Sequence, residues 1–308
     1  MSRLVVFGSV NADHVIQVPH FPKPGETLTG ANYQQIPGGK GANQALAAAR
    51  LGVDVSFIAS VGDDDFGRSF LADFKREGID VTQVLVQHNM PTGIAMIQVS
   101  DVGENSIALS AEANAELTAS HITQAMTQHI AQADYLLLQL ETPISGIEHA
   151  IKLAKANQTH VVLNPAPAQV LNDETLSLID MITPNETEAQ ILTGIQVVDE
   201  LSADKAAQTL HHKGIETVLI TLGAKGVYYS DQTDSARIIQ GFKVKACDTT
   251  AAGDTFNGAL VAGLAQGMAM DDAIEFAHAA AAISVTRFGA QTSIPYHEDV
   301  EQFLQANK

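Results

Sequence analysis

Six short apolar runs recur along the chain, and segments of helical period separate most of them. The runs are LVVFG (4–8), VSFIAS (55–60), YLLLQL (135–140), HVVLN (160–164), MIT (181–183) and TVLITL (217–222). They are near-continuously apolar, as strands buried on both faces must be. Helical segments lie near 40–51, 66–77, 120–132, 144–157, 186–193 and 203–213. Strand-then-helix alternation closes into a parallel sheet with helices on both faces. Two alanine-rich helices, near 252–266 and 271–286, and an amphipathic one near 297–306 complete the chain. The expected fold is α/β, a three-layer sandwich around a mostly parallel central sheet.

Residues 12–37 and 92–110 break this rhythm, reading as short alternating strands joined by glycine and proline turns with no helix between them. They are expected to form a small antiparallel sheet, either decorative or a lid that keeps water from a reactive group. The chain then divides into a discontinuous α/β domain (1–11, 38–91 and 111–308) and a β-sheet lid (12–37 and 92–110). An isolated small sheet leaves unpaired edges, and pairing two lids would cover them. A homodimer through the lid is the expected assembly.

The formal charge of −18 sets the chain against phosphate backbones and anionic lipid surfaces, and no run of Lys and Arg exceeds two residues. An anionic ligand must therefore be held by local devices. A single cysteine, Cys247, cannot form an internal disulfide, and no apolar stretch reaches transmembrane length. A cytoplasmic protein that binds neither nucleic acid nor membrane is expected. Cys247 reads as a small buried hydrophobe, His211 and His212 as surface residues, and Asp63–Asp65 as loop solvation and a helix cap.

Ligands of open α/β sheets bind beyond the carboxyl ends of the strands. Polar residues gather there: Asn11 and Asp13 after the first run, Glu141 after the third, then NPAP (164–167), TPNETE (183–188) and TLGAKG (221–226). Each alone is accounted for by a cap or a turn. All at one edge, they point to a single cleft. GGKGANQALAAARLG (38–52) opens a helix with three glycines, which suits either a ligand or a tight turn. It matches neither the P-loop nor the dinucleotide fingerprint, since Gln44 stands at the third glycine position. This argues against a nicotinamide dehydrogenase.

The most informative segment is DTTAAGDTFNGALVAGL (248–264). A small-residue turn, Ala251-Ala252-Gly253, leads into a helix with Asp254 in its first turn. Free N–H groups there can stabilise charge on a phosphoryl group in transfer. Asp254 is placed to take the proton of an attacking hydroxyl, although an acidic residue in a first turn also simply complements the helix dipole.

GGKGANQALAAARLG, VGDDDFG, NPAP, PNETE and DTTAAGDTFNGAL, in this order, resemble the ribokinase/fructokinase carbohydrate kinase family, and the likeness runs from residue 11 to residue 293. NADH (11–14) with DTTAAGD is similar to members that phosphorylate D-ribose at the 5-hydroxyl with ATP. The resemblance implies that Asn11, Asp13, Gly39, Lys40, Asn43, Glu141 and Asp254 contact the sugar. It makes Asp254 the general base and Ala252 and Gly253 the anion hole. Asn185, Thr221, Gly223, Gly226, Gly253 and His278 would line the nucleotide site, with Glu188 organising Mg2+ through water. Asp248, Thr250, Ser284, Arg287, Gly289 and Ser293 match loops that hold a monovalent cation, expected to be K+, with Ser284 and Arg287 acting through backbone carbonyls.

The competing readings are a kinase of the same fold for another sugar, a sugar phosphate or a nucleoside, and a non-catalytic sugar-binding regulator. A sugar-phosphate kinase needs more than the single cation, Lys40, that the matched sugar positions offer. Retention of Gly253, Asp254 and PNETE argues against a regulator.

Overall fold

The computed structural model describes residues 3–233 and 236–307; the expected domain ends at 1 and 308 lie outside them. The main sheet has nine strands, in the order β13-β12-β11-β10-β9-β8-β1-β4-β5 once all are numbered along the chain. Its centre is the set read from the apolar runs: β1 (Arg3–Phe7), β4 (Asp54–Gly62), β8 (Tyr135–Leu138), β9 (His160–Leu163), β10 (Met181–Ile182) and β11 (Thr217–Thr221), all parallel. Three strands were not anticipated. β5 (Val84–Gln87) adds a parallel edge, and β12 (Val227–Asp231) and β13 (Arg237–Ile239) an antiparallel one.

Successive strand residues face opposite layers. Leu4 and Val6 pack into one core with helices α1 (Lys40–Arg50), α2 (Asp65–Arg76), α8 (Ala252–Ala265), α9 (Met270–Val285) and α10 (His297–Ala306). Val5 and Phe7 pack into the other with α3 (Gln124–Ala131), α4 (Ile144–Ala156), α5 (Asp173–Leu176), α6 (Glu186–Thr193) and α7 (Glu200–His212). These are the three layers. α3 starts later than its periodicity implies, because a separate 3-10 turn covers Ala119–His121. Asp64 caps α2 by accepting from the Gly67 N–H at 2.7 Å, the helix-cap role expected of the acidic run.

The second sheet has four strands in the order β3-β2-β6-β7: β2 (Asn11–Val18), β3 (Ala31–Gly38), β6 (Gly93–Ser100) and β7 (Asn105–Ser110). The antiparallel expectation needs correction, for the central pair β2 and β6 is parallel, Asn11 opposite Gly93. Each segment forms its own antiparallel hairpin, and the hairpins join through strands running the same way.

Two local expectations also change. Cys247 is exposed, not buried, because its segment runs over the surface before α8. His211 is only partly exposed, with Nδ1 2.8 Å from the Ile215 carbonyl and Nε2 2.9 Å from Ser230 Oγ, so it ties α7 to β12; His212 is exposed.

Candidate active site

The cleft is assembled where β1 ends, α1 starts and α8 starts. Gly39 has φ 94°, a left-handed conformation that favours glycine, and a Cβ there would lie 2.8 Å from the Asn11 nitrogen and the Ser9 carbonyl. The glycine motif thus brings α1 against the β1–β2 link. Glu141 Oε2 accepts from the Lys40 N–H at 3.0 Å and from Ser9 Oγ at 2.6 Å, closing the third side.

Four carboxylates surround one ammonium. Lys40 is half-buried, and its desolvation alone would lower its pKa, but Asp254, Glu141, Glu188 and Asp13 more than offset this and raise it. Burial, then the neighbouring charges of Glu141 and Asp254, push Asp13 up to about 7 despite the opposing pull of Lys40. Glu188 is raised chiefly by burial, with the Asn185 N–H and Lys40 pulling the other way. Asp254 is buried and accepts at both oxygens, from Asn43 Nδ2 and from Gln44 Nε2, each at 2.9 Å.

Buried polar atoms without partners here include Asp13 Oδ1, Asn43 Oδ1 and Gln139 Oε1. An unpaired buried acceptor costs about 1–3 kcal/mol, so such atoms mark places built to meet a ligand. Beside them, α8 opens at Ala251, left-handed at φ 59°, with no side-chain cap; of the two expected anion-hole donors, the Ala252 N–H turns back to the Thr249 carbonyl at 3.2 Å because of this tight turn, which leaves Gly253. A Cβ added at Gly253 would meet no atom within 4 Å, so this helix start faces open space.

The nucleotide candidates form a neighbouring group. Asn185 and Glu188 cap α6 reciprocally, at 2.8 and 2.9 Å, and the Thr221 N–H donates to Pro184 O beside them. Gly223 and Gly226, at φ 56° and 103°, shape the turn between β11 and β12. A Cβ at Gly226 would strike the 239–241 backbone, and His278 engages Gln240 there. Burial lowers His278 to about 4, only partly countered by that bond, so its imidazole is neutral at pH 7.

The remaining candidates meet apart from these. Asp248 Oδ1 accepts from the N–H and Oγ1 of Thr250, at 2.9 and 2.7 Å, and Oδ2 from the Gly289 N–H at 2.9 Å. Burial would raise Asp248, but these bonds outweigh it and hold the carboxyl below its usual range. Arg287 sends its guanidinium to Asp299, and the hydroxyls of Ser284 and Ser293 donate to Ala281 O and Ala290 O. Among the described residues no three His, Cys, Asp or Glu side chains gather to hold a metal by themselves.

Three contributors escape the motif reading. Asn114, buried in a 3-10 turn, donates to Asn11 Oδ1 and bonds both polar groups of the Val10 backbone, and nothing in its local sequence marks it. Gln44 figures in the motif only as a missing glycine, yet it holds Asp254. Gln139 was signalled in principle, being a polar residue inside an apolar strand run.

An α/β sandwich with a separate small sheet, a caged acid beside an open helix start and buried unpaired acceptors define a small-molecule kinase. Residues 1–296 match the family model described as pfkB family carbohydrate kinase, and the chain belongs to that family. It is 59% identical to the ribokinase of Haemophilus influenzae over 98% of both chains, and 43% identical to that of Staphylococcus aureus over 98% of this chain and 99% of the other. The solved structure of Arabidopsis thaliana ribokinase complexed with ribose and ATP superposes with a TM-score of 0.93, at 32% identity and 99% coverage of each chain.

Proposed function

We propose that this chain transfers the terminal phosphoryl group of ATP to the 5-hydroxyl of D-ribose, giving ribose 5-phosphate and ADP. The observation that carries the reading is Asp254, fixed at both oxygens and standing next to a helix start that faces open space. The similar proteins supply the substrates: relatives at high identity are ribokinases, and the Arabidopsis one was solved with ribose and ATP.

Asp254 accepts the proton of the 5-hydroxyl as its oxygen bonds to the γ-phosphorus and the bond from that phosphorus to the ADP oxygen breaks. The N–H of Gly253 and the Lys40 ammonium meet the charge on the phosphoryl oxygens, and the Ala252 N–H joins them on leaving the Thr249 carbonyl that it holds at 3.2 Å. Asn11, Asp13, Asn43 and Glu141, with the backbone at Gly39, hold the remaining hydroxyls. Asn185, Thr221, Gly223, Gly226 and neutral His278 receive the nucleotide. Glu188, buried at the rim of the cleft, would hold Mg2+ through water, and the ion would neutralise phosphate charge. Since the reaction consumes ATP, the cytoplasm is the proposed location. A panel of pentoses, hexoses and nucleosides in a coupled ADP-release assay tests the reading. A hexose or nucleoside turned over faster than D-ribose would overturn the sugar assignment, and no ADP release with any of them would overturn the kinase.

Asp248 ties the loop before α8 to the loop at Gly289, and each oxygen of this ionised carboxylate keeps electron pairs beyond its present bonds. That donor set fits K+, joined by carbonyls of Thr250, Ser284, Arg287 and Gly289 and the Ser293 hydroxyl. Replacing potassium with a bulky organic cation at constant ionic strength is expected to lower kcat more than sugar affinity. Equal kcat in the two buffers would remove the ion from the reading.

The lid sheet carries exposed apolar side chains, Tyr33, Met96, Ile107 and Leu109, on strands that include both its edges. A homodimer that covers this surface is the proposed assembly. Sedimentation at micromolar concentration is expected to give twice the chain mass; a monomer would defeat it.

A further inference from the structure

We infer that Gln44 is a positioning residue for phosphoryl transfer, holding the Asp254 carboxylate in the orientation from which it takes the proton. The inference rests on the reading of Asp254 as general base. Gln44 is fully buried, on the turn of α1 that follows Lys40. Its amide is saturated: Nε2 donates to Asp254 Oδ1 at 2.9 Å and to Asn164 Oδ1 at 3.0 Å, and Oε1 accepts from Gln139 Nε2 at 2.6 Å. Both N–H protons face acceptors and the oxygen faces a donor, so the amide has one satisfactory orientation.

The neighbours fix that orientation in turn. Asn164 Nδ2 donates to the Thr183 carbonyl, which leaves Oδ1 for Gln44. Thr183 Oγ1 donates to Asn257 Oδ1, and Asn257 Nδ2 donates to the Gly253 carbonyl. The chain of amides therefore begins at the proton acceptor and ends on the backbone of the helix start beside it. α1 and α8 are in close backbone contact at this point, since a Cβ at Gly258 would lie 2.6 Å from the Gln44 carbonyl. Asn43 anchors the other oxygen, Oδ2, but has no such network behind it; its Oδ1 is unpartnered. Among the described residues, Gln44 is the one side chain bonded to both the Asp254 carboxylate and the residues that follow β8 and β9.

The test is a double-mutant cycle. Gln44→Met removes both donors at similar size and is expected to lower kcat about 10–100-fold, with the KM for ATP changed less than about 2-fold. In an Asp254→Asn background, which has no base left to orient, the same change is expected to cost less than about 2-fold. A purely structural lesion would instead lower kcat by the same factor in both backgrounds, and that result would overturn the inference. Near-normal kcat in Asp254→Asn alone would overturn the base reading and the inference with it, a distinct outcome. Should Gln44→Met fail to fold, Gln44→Glu enters the same cycle, because it keeps the acceptor for Gln139 while losing the donors; equal losses in both backgrounds would again overturn the inference.

Discussion

Asp254→Asn is expected to fold, to bind ATP with near-normal affinity and to lose about 10²–10⁴-fold in kcat, the usual share of general acid–base catalysis. The substitution keeps the shape of the side chain, so what is lost is the ability to hold a proton while the sugar oxygen attacks. It also turns one accepting oxygen into an amide nitrogen facing either Asn43 Nδ2 or Gln44 Nε2, donors that both point at this side chain. Steady-state kinetics on ribose and ATP, with circular dichroism as the check on folding, measures the effect. A variant within a few-fold of the parent kcat would take Asp254 out of the reaction.

Asp13→Asn is expected to weaken ribose binding while stabilising the protein in alkaline solution. Losing a charge-assisted bond to a hydroxyl corresponds to about 1.5–3 kcal/mol, or roughly 10–150-fold in affinity. The stability effect follows from linkage. The folded protein holds the Asp13 proton up to about 7, against an ordinary value of 3.8, because burial and the nearby acids disfavour the charge. The ionisation penalty is therefore absent below about pH 4, grows through the interval and is complete above about pH 7. Asparagine never bears it. The gain over the parent should be near zero at pH 4 and on the order of 2–4 kcal/mol at pH 8, visible as a rise of several degrees in Tm. Thermal melts at both pH values, with ribose titrations by calorimetry, separate the two effects. A melting difference that does not grow with pH would show that Asp13 is not held back from ionising.

The parallel centre of the fold is legible because strands buried on both faces leave uninterrupted apolar runs, as in YLLLQL and TVLITL. The edges are not. β13 is only partly buried and β5 nearly so, and such strands take their structure from their neighbours, not from a pattern of their own. The parallel pairing of β2 with β6 is invisible for a related reason: each hairpin announces its turn, but nothing local says which strands of two hairpins meet. In the site, residues at strand ends and in glycine motifs could be named in advance, since their positions are set by the fold's geometry. Asn114 and Gln44 could not, because their importance lies in what they touch 103 and 210 residues away.

Ala251 has a consequence for how the helix behind it behaves. An alanine at φ 59° sits in a conformation that costs L-residues roughly 1–2 kcal/mol. It is kept there from both sides: Asp248 clasps Thr250 just before it, and Thr255 returns its N–H and its hydroxyl to the Ala251 carbonyl, at 2.8 and 2.9 Å. Glycine would sit there without strain but would also let the bend open. The chain instead resembles a bent leaf spring held by two clips, with its tension stored in one residue. Loosening either clip lets the bend relax, so side chains that meet no substrate bear on where the start of α8 points.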